Sequence, residues 1–133
     1  MSKIQMKYDG EQHCTGSQPN GKTVAVDCPY TGKGEEFSPG NLVGAGLAGC
    51  MLLSMGAVAK RDEIDISNTE VEVEITMVDK PETRIGLLDV KVSMPRDYSD
   101  TDRTKLERAA AACAIKHSFR PDVKIATRFE YPE

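Results

Sequence analysis

The chain of 133 residues has no tryptophan, only 3 phenylalanines and 4 tyrosines, and a net charge of −4. So few rings offer no stacking platform for single strands, and an acidic balance removes the basic footprint that phosphate contacts need. Nucleic acid is not expected as a partner. A P-loop, a His-Glu-x-x-His helix, EF-hand spacing and a nucleophile-elbow serine are also missing, and with them the reactions those motifs carry. The opening Met1-Ser2-Lys3-Ile4-Gln5 lacks the charged and then apolar leader of a secreted chain, so a cytoplasmic setting is expected. There Cys14, Cys28, Cys50 and Cys113 read as reduced thiols rather than a disulfide scaffold. The length suits one core, so a single domain over residues 1–133 is expected.

What is present includes two decoys on one segment. Gly44, Gly46 and Gly49 spell the Gly-x-Gly-x-x-Gly of a dinucleotide site, and Asp65 follows at about the right distance. That motif needs a hydrophobic strand before its first glycine. Here the chain runs Glu35-Glu36-Phe37-Ser38-Pro39-Gly40-Asn41, where Ser38 reads as a helix cap and Pro39 as the first helical residue. The glycines therefore lie inside a helix, and Glu63 and Asp65 in the polar stretch at its exit. The uncharged run from Leu42 to Ala59 is also just long enough to span a bilayer, but its glycines and Ser54 favour a buried central helix, so no membrane partner is expected.

The remaining patterns give an α+β order of β-β-β-α-β-β-α-β. Lys3 to Tyr8, Glu11 to Gln18 and Lys22 to Asp27 form a meander with turns at Asp9-Gly10 and Pro19-Asn20-Gly21. A helix over about 39–60 follows. Val71, Val73, Ile75 and Met77 alternate with Glu72, Glu74 and Thr76, giving a half-buried strand whose hairpin partner is Arg84 to Met94. Ser99 then caps a helix expected to reach about Ser118, and Val123 to Tyr131 is the last strand.

Helical spacing aligns Leu42, Gly46, Cys50, Leu53 and Ala57 in the first helix, and Leu106, Ala110, Cys113 and His117 in the second. Both cysteines are thus expected on core-facing sides. Buried free cysteine is commonly inert, and position alone leaves a structural or a reactive thiol open.

Three stretches carry a resemblance: Ser38-Pro39 through Ala48-Gly49-Cys50, the alternating strand Val71 to Met77, and Leu106 through Cys113-Ala114-Ile115. Together, and in this order, they resemble the OsmC/Ohr family of osmotically inducible and organic hydroperoxide resistance proteins. The resemblance implies an intertwined homodimer with a long buried central helix and thiol peroxidase chemistry at the subunit interface. It implies that Cys50 is the peroxidatic nucleophile and Cys113 the resolving thiol, reduced again by an external dithiol, with no cofactor. An organic hydroperoxide would be the substrate.

The sequence departs from that pattern in its charged groups. Family peroxidases place an arginine from the early strands beside the nucleophile and hold it with a glutamate after the helix-opening proline. Matching the turns puts His13 near the arginine position, and matching Ser38-Pro39 puts Gly40 at the glutamate position. Glu35 or Glu36 can substitute only if their loop folds back. His13 is then a titratable stand-in for the arginine, or a hairpin residue without that role. A two-residue turn at Asn20-Gly21 would set His13 opposite Cys28 and Cys14 opposite Asp27. His117 can assist Cys113 in the same way.

Two further readings stay open. Cys113 with His117, and His13 with Cys28, have ligand chemistry for a metal ion, although no short Cys-x-x-Cys pair supports such a site. Alternatively the chain is a non-catalytic OsmC-like protein that binds a small apolar ligand, having lost the arginine and glutamate.

Overall fold

A computed structural model describes residues 2–133. It divides into two compact units, one ending at Val43 and the other running from Gly44 to Glu133.

The first unit is an antiparallel meander of β1 (Gln5–Gly10), β2 (His13–Ser17) and β3 (Thr23–Asp27). Its first turn falls on Glu11 and Gln12 rather than Asp9-Gly10. Both residues have positive φ, 54° and 62°, and Gly10 pairs with His13 across them. Left-handed residues at both centres match the right-handed twist of a tight hairpin. The second turn is also wider than a two-residue one. Ser17 pairs with Thr23, while Asn20 Oδ1 accepts hydrogen bonds from Gln18 Nε2 at 2.9 Å and the Lys22 N–H at 3.0 Å. This side-chain bracing opens the turn and slides the register by one residue. His13 therefore faces Asp27 and Cys14 faces Val26, in place of the expected His13–Cys28 and Cys14–Asp27 pairs.

After β3 the chain loops back on the sheet. The Asp27 N–H donates to the Phe37 carbonyl at 3.1 Å, and the buried Asp27 carboxylate accepts the N–H groups of Glu35 at 2.9 Å and Glu36 at 3.2 Å. Ser38 then caps α1 (Pro39–Arg61), its Oγ accepting the Asn41 N–H at 3.1 Å.

The second unit holds a sheet in the order β4-β5-β6, with β4 (Glu70–Val78) antiparallel and β6 (Lys124–Glu130) parallel to β5 (Arg84–Ser93). Val71, Val73 and Ile75 turn inward as their alternation predicts, whereas Met77 is exposed. A register shift between Thr76 and Met77 breaks the period there. Gly86 makes room for it: a Cβ at this position would lie 2.5 Å from a Val78 methyl.

Ser99 caps α2 (Asp100–Ala111), accepting the Asp102 N–H at 3.1 Å, with Asp100 and Asp102 in the first turn. The helix stops well short of Ser118. Ala112 N–H bonds back to the carbonyls of Arg108 and Ala109, Cys113 N–H bonds to that of Ala110, and a single 3-10 turn follows at Lys116–Ser118. Nothing in the alanine run signals this stop, since alanine is the strongest helix former. What opposes it is tertiary: Cys113 is fully buried in the core, and its Sγ takes the Lys116 N–H at 3.5 Å.

The core joins Leu47, Met51 and Met55 of α1 to Leu88, Val90 and Val92 of β5 and to Leu106 and Ala110 of α2. The buried stripe of α1 is Gly44, Leu47, Met51, Met55 and Ala59. That differs from the expected Leu42, Gly46, Cys50, Leu53 and Ala57. Leu53 is 77% exposed, Gly46 and Ala57 are also exposed, and Cys50 sits at the edge of the stripe. A helix that is apolar all round has no polar face to orient it, so period alone could not choose the buried side.

Candidate functional site

Cys50 projects from the third turn of α1, half-buried against the core cluster that contains Cys113. All four cysteines are free thiols. The two that the resemblance pairs are neighbours: Cys113 lies beside Cys50, and its thiol is the main influence holding the Cys50 thiol below its ordinary pKa. The backbone N–H groups of Ile115 and Ala114 add to the effect, as does the Ser54 hydroxyl, against a partial desolvation. Cys113 moves the other way. Burial raises its pKa first, and the adjacent Cys50 sulfur raises it further.

The local fold explains this convergence. With α2 ended at Ala111, residues 112–118 bend back, and the peptide N–H groups of Ala114 and Ile115 are no longer spent on helix bonds. They face a sulfur that gains by carrying negative charge. Ser54 lies one helical turn beyond Cys50 and supplies a further donor. Spacing in the sequence could have pointed to Ser54. The two peptide donors could not be seen there, because a helix through Ser118 would have consumed them. A thiol shifted toward thiolate beside one shifted the other way has the chemistry to close to a disulfide if one sulfur is oxidised.

His13 lies in the first unit, with both ring nitrogens occupied. Nδ1 is 2.8 Å from Asp9 Oδ2 and Nε2 is 3.2 Å from Glu36 Oε2, and Thr15 Oγ1 donates to the other Asp9 oxygen at 3.2 Å. The loop does fold back, so Glu36 takes the place at His13 that Gly40 cannot fill. Asp9 first and then Glu36 raise the His13 pKa, while His13 lowers that of Asp9. Asp9 was not singled out by the sequence, because it was read as a turn residue.

The other candidates separate. His117 is exposed on the 3-10 turn that follows α2, its N–H donating to the Cys113 carbonyl at 3.3 Å. Cys14 pairs with Tyr8 and Val26 in the meander. Cys28 leaves β3, and the Thr31 side chain, followed by the Thr31 and Tyr30 backbone, lowers its pKa. Among the described residues no group of three or more His, Cys, Asp or Glu side chains converges in a way that could hold a metal ion.

Comparison with known proteins agrees with this architecture. A protein of Psychrobacter arcticus, provisionally described as an osmotic stress induced and detoxification response protein, is 27% identical and superposes with a TM-score of 0.91 over 98% of this chain and 96% of its own. The organic hydroperoxide resistance protein OhrB of Bacillus subtilis shares the fold at 20% identity, with a TM-score of 0.73 over 98% of both chains. So does an OsmC-like protein of Mycoplasma pneumoniae, at 16% identity and a TM-score of 0.79, over 100% of this chain and 98% of its own. No curated protein matches the sequence. The family model for OsmC-like proteins matches residues 32–128, a span that holds α1, both sheet hairpin strands, α2 and the Cys50–Cys113 pair. The chain belongs to the OsmC-like protein family.

Proposed function

We propose that this protein reduces organic hydroperoxides through Cys50 and Cys113. The carrying observation is that Cys50 packs beside the buried Cys113, with the Cys50 pKa lowered and that of Cys113 raised. Only a thiolate attacks a peroxide, and an unperturbed cysteine near pKa ~8.5 is only about 3% ionised at neutral pH. The donors around Cys50 supply, from backbone and thiol, part of what the family draws from arginine. Two structural neighbours, from Bacillus subtilis and Legionella pneumophila, are described as organic hydroperoxide resistance proteins.

In this reading the Cys50 thiolate attacks one peroxide oxygen and the O–O bond breaks. The alkoxide takes up a proton and departs as the alcohol, leaving Cys50 as a sulfenic acid. Cys113 then attacks the sulfenic sulfur, its thiol proton leaves with the hydroxyl as water, and a disulfide forms. An external dithiol returns both thiols. His13, paired with Glu36, supplies the titratable cation expected in place of the family's arginine.

A second copy of the chain completes the proposal. The Leu53, Gly46 and Ala57 side of α1 is apolar and open in a single chain, and only 28% of the helix's most apolar window is buried. A homodimer covers such a face. The setting proposed is the cytoplasm.

Mass spectrometry after stoichiometric organic hydroperoxide tests the chemistry. The wild type is expected to form a Cys50–Cys113 disulfide, Cys113→Ser to stop at Cys50 sulfenic acid and progress to sulfinic acid, and Cys50→Ser to consume no peroxide. A wild type that forms no disulfide would instead support the OsmC-like protein that binds a small apolar ligand without turnover.

A further inference from the structure

The charged cluster around His13 in the first unit also ties down the loop that follows β3. A cleft of about 330 Å³ is lined by Asp9, Glu11, His13, Asp27, Lys33 and Glu35, and Glu36 reaches His13 at its side. The groups around His13 come from every neighbouring element: Asp9 from β1, with Lys7 acting on Asp9, Glu11 from the first turn, Asp27 opposite it on β3, and Lys33, Glu35 and Glu36 from the loop. Carboxylates outnumber cations there.

Imidazole geometry sets the consequence. A neutral ring has one N–H and one lone pair, so it can donate to only one of two flanking carboxylates, and its lone pair would face the other. Both contacts are favourable only when the ring is doubly protonated. The two sides are held unequally. Asp9 lies on the same hairpin and is also held by Thr15, whereas Glu36 comes from a loop 23 residues away in sequence. Loss of the proton therefore breaks the Glu36 contact first.

We infer that His13 is a proton-operated clasp: as a cation it pins the 28–37 loop to the meander through Glu36, and as a neutral ring it releases it. The loop has a second anchor, the Asp27 carboxylate holding the Glu35 and Glu36 N–H groups, so release loosens the loop without unfolding it. The raised His13 pKa puts the switching point above the ordinary histidine value. Stabilisation by the clasp is complete below the unfolded pKa of ~6.5 and is lost as pH rises through the folded value. The clasp residue Glu36 lies two residues before Ser38, the cap of α1, so its state bears on the segment that starts that helix. It stands independently of the peroxidase reading.

Hydrogen exchange of the Glu35 and Glu36 amides, corrected for the intrinsic rate, tests it between about pH 6 and about pH 9. Protection in the wild type is expected to fall several-fold across that range, with β5 amides as an internal control of the fold. Glu36→Gln and His13→Gln should show low protection with no pH step, and His13→Arg high protection with no step. Ring nitrogen NMR adds a second readout, in which His13 should be doubly protonated at about pH 6. A neutral His13 ring at that pH, or the same protection step in wild type and His13→Gln, overturns the proposal.

Discussion

Cys113 lies beside Cys50 and lowers its pKa, which brings a residue on α1 together with one that has just left α2. Oxidation chemistry at such a pair depends on the donors as much as on the two sulfurs. The peptide N–H groups after Cys113 are the part most open to a clean test.

Ala114→Pro removes one of those N–H groups, since proline has none. Cys50 reactivity toward a thiol reagent at neutral pH should fall, by about tenfold for each unit its pKa rises. Ala114→Gly keeps the N–H and should stay near wild type. Equal loss in both variants would mean that the chain path, not the donor, had been disturbed.

The part played by His13 can be read from the pH profile of Cys50. Because Asp9 and Glu36 raise the His13 pKa, a wild-type step caused by its proton should appear above pH ~6.5 rather than at it. His13→Arg should then extend high reactivity to alkaline pH, and His13→Gln should remove the step. Three identical profiles would assign the depressed Cys50 pKa to its immediate donors alone.

Association is tested on the open side of α1. Sedimentation at micromolar concentration should give a dimer for the wild type and a monomer for Leu53→Glu, which sets a charge on an exposed apolar face. Monomeric wild type would remove the homodimer from the proposal.

Stability should depend on the opposite side. Leu47→Ala deletes a fully buried side chain in the core and is expected to cost about 2–5 kcal/mol by chemical denaturation. Ser99→Ala removes the α2 cap and should cost about 1 kcal/mol. A Leu47 variant as stable as wild type would contradict the α1 stripe described here.

Much of the architecture was legible because its signals are local. Ser38-Pro39 and Ser99 are capping chemistry, Val71 to Ile75 alternate with charges, and each states its element without knowledge of the rest. The Cys50–Cys113 pair came from resemblance rather than from a local signal. Three things were decided only in three dimensions. The buried side of α1 could not be read from a helix apolar on every side, and packing against Ile75 and the core chose Gly44 and Leu47 over Gly46 and Leu53. The end of α2 had no stop residue, and burial of Cys113 broke an alanine run that propensity would continue. Glu36 met His13 because Asp27, a buried carboxylate needing donors, drew the backbone of the loop onto the meander. Periodicity and capping act over one or two turns of chain, whereas desolvation and hydrogen-bond satisfaction act on whatever the fold brings close.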